Sequence, residues 1–214
     1  LRPWCGWLIR AAVALGEPGQ SYGLLRYRFK NLGKNVFKGK LALAIRPVQI
    51  NPLWQYGGFS PIKFAECSIT DDIAEIYINK QRRIVSLTRP EKTAALSISG
   101  SDVIDFIKEG ALPDSQTAQD SEGRVSIGLL YDLNIAPYES ADFFVLFPIY
   151  PDLEIPADII RNPAIFFDKQ LDEEGKRWEE LLNRITIDIP EKRLIDVMKS
   201  NIAYILINKD GPVD

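Results

Sequence analysis

The stretch VSIGLLYDLNI at 125–135 alternates without a break, with Val125, Ile127, Leu129, Tyr131, Leu133 and Ile135 on one side. Successive side chains of a strand point to opposite faces, so this period of two predicts a β-strand with one continuous apolar face. Pro137, Tyr138, Glu139 and Ser140 then turn the chain, and ADFFVLFPI at 141–149 comes back as a run that is apolar on both faces. A strand buried on both sides needs a layer above and a layer below. The pair of segments therefore predicts a layered sandwich rather than a single open sheet.

Towards the N-terminus, the segment YGLLRYRFKN at 22–31 alternates Leu25, Tyr27 and Phe29 with Arg26, Arg28 and Lys30. One apolar face and one basic face predict a half-exposed strand. Asn31 to Asn35 is turn chemistry. A second strand follows, with Phe37, Leu41, Leu43 and Ile45 on one face and Lys38, Lys40, Ala42, Ala44 and Arg46 on the other. The short turn between the two strands predicts an antiparallel hairpin. Pro47 ends or bulges the second strand, because it has no N–H for the ladder. A loop occupies 51–58. Residues 73–78 and 83–88 predict another hairpin around Asn79, Lys80 and Gln81, and 94–99 a further short strand. Residues 102–108 suit a turn of helix. The Ser-, Gln- and Asp-rich stretch 113–123 reads as an exposed, mobile loop.

Beyond 150 the pattern changes. Pro151, Pro156 and Pro163 punctuate a connecting segment. From Asp168 the period becomes helical, with Leu171, Trp178, Leu181, Leu182 and Ile185 on one face. The run ITIDI at 185–189 is strand-like and stops at Pro190. A second amphipathic helix then carries Leu194, Val197, Met198, Ile202 and Ile205 at three- and four-residue steps, ending at Asn208–Pro212. The expected fold is mainly β: an antiparallel β-sandwich over 1–165, then a helical part over 166–214 made of a linker helix and a second amphipathic helix. The apolar face of that second helix is expected to be covered by a further helical region, with packing back on the sandwich as the alternative.

Composition narrows the chemistry. The chain has 214 residues, 46% of them apolar and 26% charged, with a formal net charge of -3. These values fit a folded domain with a sizeable core. The densest basic run, Lys80 to Arg83, falls at a predicted hairpin turn and not on a basic face, so nucleic acid is not an expected partner. The longest greasy run, 143–149, is far short of the ~20 residues of a membrane span, and a membrane is not expected either. Histidine is absent. Ser-His-Asp and Cys-His machinery and His-ligated zinc therefore cannot be assembled within these residues. Cys5 and Cys67 make no metal or redox pair; buried free thiols are expected, with one disulfide as the alternative. No cofactor is implied.

Acids are the first candidates for chemistry, since glycoside hydrolysis needs two carboxylates about 5–10 Å apart. Asp71 and Asp72 precede a predicted strand, where acids cap turns. Asp172, Glu173 and Glu174 begin a predicted helix, where acids complement its dipole. Glu179 and Glu180 fall on its solvent side. Aromatics are the second. Trp54 and Tyr56 lie two apart in a glycine-flanked loop, so in an extended conformation both rings point the same way. They are candidates for carbohydrate binding or a domain interface, with packing at the sandwich edge as the plainer role. Trp4, Trp7 and Trp178 are expected to pack. Gly16 to Gln20 and Gly57-Gly58 match neither a P-loop nor a dinucleotide fingerprint.

The assembled pattern resembles the N-terminal super-sandwich domain that precedes an (α/α)6 toroid in bacterial glucoamylase-like, six-hairpin glycosidases. The segments that carry the resemblance are LLRYRFKN (24–31) with LALAIRPVQINP (41–52), and SIGLLYDLNIAPYES (126–140) with the strand ending in Phe147 and Pro148. The helix around Trp178 and SNIAYILINKDGP (200–212) complete it; the last is similar to the first toroid helix and the loop after it. In that family the catalytic acids sit on loops of the toroid, which would lie beyond Asp214. The resemblance thus implies no catalytic residue in this chain. It implies a non-catalytic accessory domain of a glycoside-hydrolase-like protein, whose first partner is the missing C-terminal helical domain and whose second is carbohydrate. Loop 51–58 would approach the active-site rim. The rival readings are an independent carbohydrate-binding or protein-interaction module, and a self-contained enzyme that uses two carboxylates.

Overall fold

A computed structural model describes residues 5–14, 21–48, 58–70, 72–150 and 152–208. Among these residues the protein is mainly β, with ten strands in two antiparallel sheets and four helices. The strands are β1 (Cys5–Ala14), β2 (Tyr22–Asn31), β3 (Phe37–Ile45), β4 (Phe64–Ile69), β5 (Ala74–Ile78), β6 (Arg82–Ser86), β7 (Lys92–Ser97), β8 (Thr117–Gln119), β9 (Val125–Ile135) and β10 (Ser140–Pro148). The helices are α1 (Val103–Lys108), α2 (Ala157–Arg161), α3 (Pro163–Leu182) and α4 (Lys192–Ile207). The chain divides into two compact units, Leu1–Phe167 and Asp168–Asp214.

The first unit holds both sheets. The larger runs β1-β2-β10-β6-β5-β4-β8 and the smaller β3-β9-β7. Their inner faces share one core. The alternating residues Ile127, Leu129, Tyr131 and Leu133 of β9 meet Cys67, Ile76, Ile84, Phe143 and Val145 of the larger sheet, with Leu41, Leu43 and Leu25 packed against them. This is a sandwich-like arrangement. The pattern at 125–149 thus produces a strand in each sheet: β9 is the middle of the small one and β10 lies inside the large one.

The hairpin expected from β2 and β3 does not form. β2 pairs with β1 and β10 in the large sheet, while β3 pairs with β9 in the small one. The turn at 32–36 carries the chain across the sandwich, and the turn at 136–139 carries it back between β9 and β10. Asn31 ties the two crossings together. Its Nδ2 donates to the carbonyl oxygens of Asn35 (2.8 Å), Ile135 (3.0 Å) and Ala136 (3.1 Å). Its Oδ1 accepts from Gly33 N (2.9 Å), and its own N–H donates to Glu139 O (2.9 Å). The apolar faces of β2 and β3 thus meet across the core from opposite sheets instead of side by side in one.

The basic face of β2 is only partly a solvent face, exposed at Lys30 and half-exposed at Arg28 but closed at Arg26. Leu24 and Arg26 are buried, 1% and 5% exposed, on the outer side of the large sheet. There Leu24, Val85, Leu87, Phe144 and Leu146 pack against Ile159 of α2 and Phe167 of α3, making a second core. Arg26 survives in it because Asp142, on the neighbouring strand, takes hydrogen bonds from its Nε (3.0 Å) and Nη2 (2.5 Å). Arg28, directly opposite Asp142, adds two more at 2.7 Å. A buried charge needs such a partner. A third cluster covers the outer face of the small sheet, where Val103 of α1 and Leu112 pack on Ala94 and Leu130.

Three further expectations need correction. The stretch 113–123 is not a free loop. It contains β8, paired with β4, and Gln116 bonds Thr93 through both its side-chain groups (2.8 and 3.0 Å). Asp120 takes the Ser97 hydroxyl at 2.5 Å and the Glu122 N–H at 2.9 Å. Most of its polar residues are exposed, as expected, but their side chains also tie the stretch to its neighbours. The long helix starts at Pro163 and not at Asp168; proline at the first helical position loses no needed donor. Residues 185–189 form no strand.

In the second unit, surface ion pairs at helical spacing line α3: Lys176 with Asp172 (2.6 Å) and Lys169 with Glu173 (3.6 Å). Lys199 Nζ donates to Asn183 Oδ1 (2.6 Å). α4 buries none of its residues and exposes Leu194, Val197, Tyr204, Ile205 and Ile207.

Candidate functional site

Trp54 and Tyr56 lie outside the described residues, as do Trp4, Asp71 and the segment Gly16–Gln20. The sequence candidates that are described fall apart. Asp172, Glu173 and Glu174 sit in the interior of α3, since the helix starts earlier than expected, and each pairs with a lysine or arginine on the same helix. Glu179 and Glu180 are exposed further along it, Trp178 is half-buried, and Asp72 is exposed near β5. Asp72 belongs to the first unit and the other acids to the second, where the ion pairs along α3 take up the leading three. Lys80 and Gln81 form the turn after β5, with Asn79 and Lys80 at φ 52° and 56°. Lys80 Nζ lies 5.4 Å from the Phe64 ring centre, and Arg83 is tied to Glu75, so the basic run is engaged locally.

Two cavities open at one end of the large sheet, on opposite faces, where β2 begins and β10 ends. The alternation of a strand assigns their linings. Tyr22, Leu146 and Tyr150 go to one, Gly23, Phe147 and Ile149 to the other.

The first cavity, of 660 Å³, lies over the second core between the sheet and α2. Leu146 and Ile159 line it from the sheet and from α2, and Tyr22 and Phe166 add rings 5.8 Å apart. The wall is made by Tyr150 and residues 152–156 of the connecting segment. Leu153 and Ile155 are half-buried there, while Asp152 and Glu154 are exposed and line the same cavity. The segment is fixed by backbone and side-chain bonds. Ile149 N donates to Ser21 O (3.0 Å) and Leu153 N to Tyr150 O (3.2 Å). Arg83 donates through Nε to Glu75 (2.8 Å) and through Nη1 to the Leu153 carbonyl (2.8 Å). A concave, mostly apolar space with a few fixed polar groups is the general form of a small-molecule site.

The second cavity, of 950 Å³, opens at the mouth of the sandwich between the sheets. Ile45, Ile62, Ile78, Ile84 and Phe147 line it together with Arg46 and Arg82. Arg46 is paired with Asp102 at 2.5 Å. The chain enters and leaves 49–57 beside this mouth, at Val48 and Phe59, which form an isolated bridge.

Asp152 and Glu154 were not among the acids singled out from the sequence. Their signal is present there. They alternate with Leu153 and Ile155 between Pro151 and Pro156, a spacing that puts two carboxylates on one side of an extended segment. Tyr22 and Phe166 are far from them in sequence, and only the fold brings these rings to the same space.

The remaining titratable groups of note are structural. Burial pushes the Cys67 thiol up to about 12, assisted by the charge of Glu66, and Cys67 is a free thiol. An unreactive core thiol results. Burial likewise pushes Tyr131 up to about 12, its hydroxyl bonded to Ser86 Oγ at 2.7 Å. The Ser97 hydroxyl holds the Asp120 carboxyl below its ordinary range. Among the described residues no group of three or more acids or cysteines is placed to hold a metal ion, and no helix is long and apolar enough to cross a membrane.

No protein-family model matches the chain, and no curated protein matches it.

Proposed function

We propose that this chain is a β-sandwich accessory domain of the super-sandwich type from a glycoside-hydrolase-like protein, and that it braces an (α/α)6 helical domain without catalysing hydrolysis itself. The observation that carries this reading is α4. It is amphipathic, yet all its residues have solvent access, and Leu194, Val197, Tyr204, Ile205 and Ile207 are each more than half exposed. A cluster of that kind on one short helix marks a surface meant to be covered. Helix-on-helix packing is the cover that a 3.6-residue apolar stripe fits. The dispersal of the helical acids into ion pairs with their own neighbours adds to it, because those carboxylates serve the helix surface.

The test compares amide hydrogen exchange across Lys192–Ile207 in the 214-residue chain and in the longer parental polypeptide. Strong added protection of α4 in the parent, with glycosidic bond hydrolysis by the parent and none by the chain, is the expected result. Equal exchange rates in the two would remove the bracing role. Within the same proposal, Trp54 and Tyr56 contribute to the rim of the active site. Their replacement by alanine in the parent should then lower activity, and unchanged activity would take them out of it.

The first cavity favours a second reading, an independent carbohydrate-binding module, since Tyr150 is 48% exposed at an apolar hollow with two acceptor carboxylates. Measurable affinity of the 214-residue chain for neutral oligosaccharides would bring that reading forward.

A further inference from the structure

The charges of the first cavity are one-sided. Among the described residues its lining holds Asp152 and Glu154 and no lysine or arginine. Several carboxylates on or beside the sheets are matched: Asp142 by Arg26 and Arg28, Glu75 by Arg83, Asp102 by Arg46, and Glu91 and Asp132 by Lys40. Asp152 and Glu154 have no ion-pair partner among the described residues. The guanidinium that reaches their segment, Arg83, is committed to Glu75 and to the Leu153 carbonyl. The same hollow presents the rings of Tyr22, Tyr150 and Phe166 over a floor of Leu146 and Ile159.

We propose that this cavity binds an organic ammonium cation carried on an apolar-faced body. The carboxylates supply the opposite charge, and the faces of aromatic rings attract a cation through their quadrupole. The apolar floor takes the body of the ligand. An anion would meet two like charges at the wall. A neutral ligand would leave both carboxylates without a counter-charge. The shared chemistry covers two sources, an amine on an aromatic or aliphatic body and the protonated amine of an amino sugar. The inference does not depend on what covers α4.

The experiment titrates the whole 214-residue chain with two matched pairs, benzylamine against benzyl alcohol and glucosamine against N-acetylglucosamine, followed through the tyrosine ring resonances. In at least one pair the charged member binds about tenfold more tightly than the neutral one. The double variant Asp152→Asn, Glu154→Gln brings that ratio close to one; both side chains are exposed, so the sandwich is retained, as a circular dichroism spectrum verifies. Preference within the glucosamine pair assigns the site to an amino sugar, and preference within the benzylamine pair alone assigns it to a non-sugar amine. Equal binding of charged and neutral members, no binding by any of the four, or a preference that survives in the double variant overturns the proposal. None of these results touches α4, so the bracing role is judged separately.

Discussion

The guanidinium carbon of Arg26 lies 5.7 Å from the centre of the Phe167 ring, at the point where the sheet hands the chain to its long helix. The same group is 5.5 Å from the Phe144 ring and donates twice to one oxygen, Oδ2, of Asp142. Arg26 therefore joins β2, β10 and α3 in one contact. Replacing Asp142 by alanine takes the carboxylate away from a buried cation and should cost about 3 kcal/mol. Arg26→Met keeps most of the packing and leaves Asp142 to Arg28, so it should cost clearly less. Urea unfolding of the two variants measures the order; if Arg26→Met is the more damaging, the ring contacts and not the ion pair dominate.

Asn31 is expected to tolerate no isosteric swap. Its amide group feeds three carbonyl oxygens on two separate crossings, with one N–H shared, and its oxygen caps Gly33. Asn31→Ala leaves these groups short of partners and should cost about 2–4 kcal/mol. Asn31→Asp should be at least as harmful at neutral pH, because a carboxylate would face the three carbonyls without a proton to offer. Thermal melts of both variants decide this. A mild Asp variant would mean that the carbonyls find other donors.

Tyr131 gives the sandwich an alkaline limit. Its phenol is raised to about 12, chiefly by burial, from an ordinary value of 10.0. The folded state thus holds the proton more tightly than the unfolded state. Its contribution is complete below about pH 10 and is lost as the pH climbs through about 12, a loss on the order of 2–3 kcal/mol. In Tyr131→Phe the decline between pH 10 and 12 should be shallower by that amount, at a cost of about 1 kcal/mol near pH 7 for the missing bond to Ser86. Parallel slopes in the two proteins would show that other tyrosines set the limit.

Two glycines separate backbone strain from side-chain crowding. Gly123 has φ +77°, and a Cβ there would stand 2.4 Å from Pro61 Cβ. Gly128 in β9 would place a Cβ 2.9 Å from Leu112 Cδ2, the tip of a flexible chain. Gly123→Ala should lose about 3 kcal/mol, through both the conformation and the clash. Gly128→Ala should lose about 1 kcal/mol, as Leu112 gives way. Denaturant midpoints for the pair test the order, and the reverse order would place the tighter packing at α1.

How far the sequence discloses this fold varies by element. β9 and β10 were legible because large side chains mark each face, and the β5–β6 hairpin because Asn79, a residue that accepts positive φ, opens its turn. β4 escaped notice, as its core residues Ala65 and Cys67 are small and give little contrast with Glu66 and Ser68. β1, rich in alanine, has the same weakness, and β8 is too short to show a period. The crossing at 32–36 uses the residues a hairpin would use. What distinguishes it is Asn31 bonding to carbonyls at 135 and 136, which local pattern cannot register. At the candidate site, the alternation of Asp152 and Glu154 is readable in the sequence. The pairing of Tyr22 with Phe166 was not readable, because it depends on α3 returning to the start of β2.

The order of strands in the small sheet has a consequence for how the protein is made. β3 has one neighbour, β9, and β9 leaves the ribosome long after it. The β1–β2 pair and the β4–β5–β6 meander can close as they emerge, but the inner face of β3 must wait on the order of several seconds for its mate at ordinary synthesis rates. Any nascent chain stalled before Val125 carries two unjoined pieces of the large sheet with their greasy sides open; β10 then joins them and β9 supplies the layer that shuts them in.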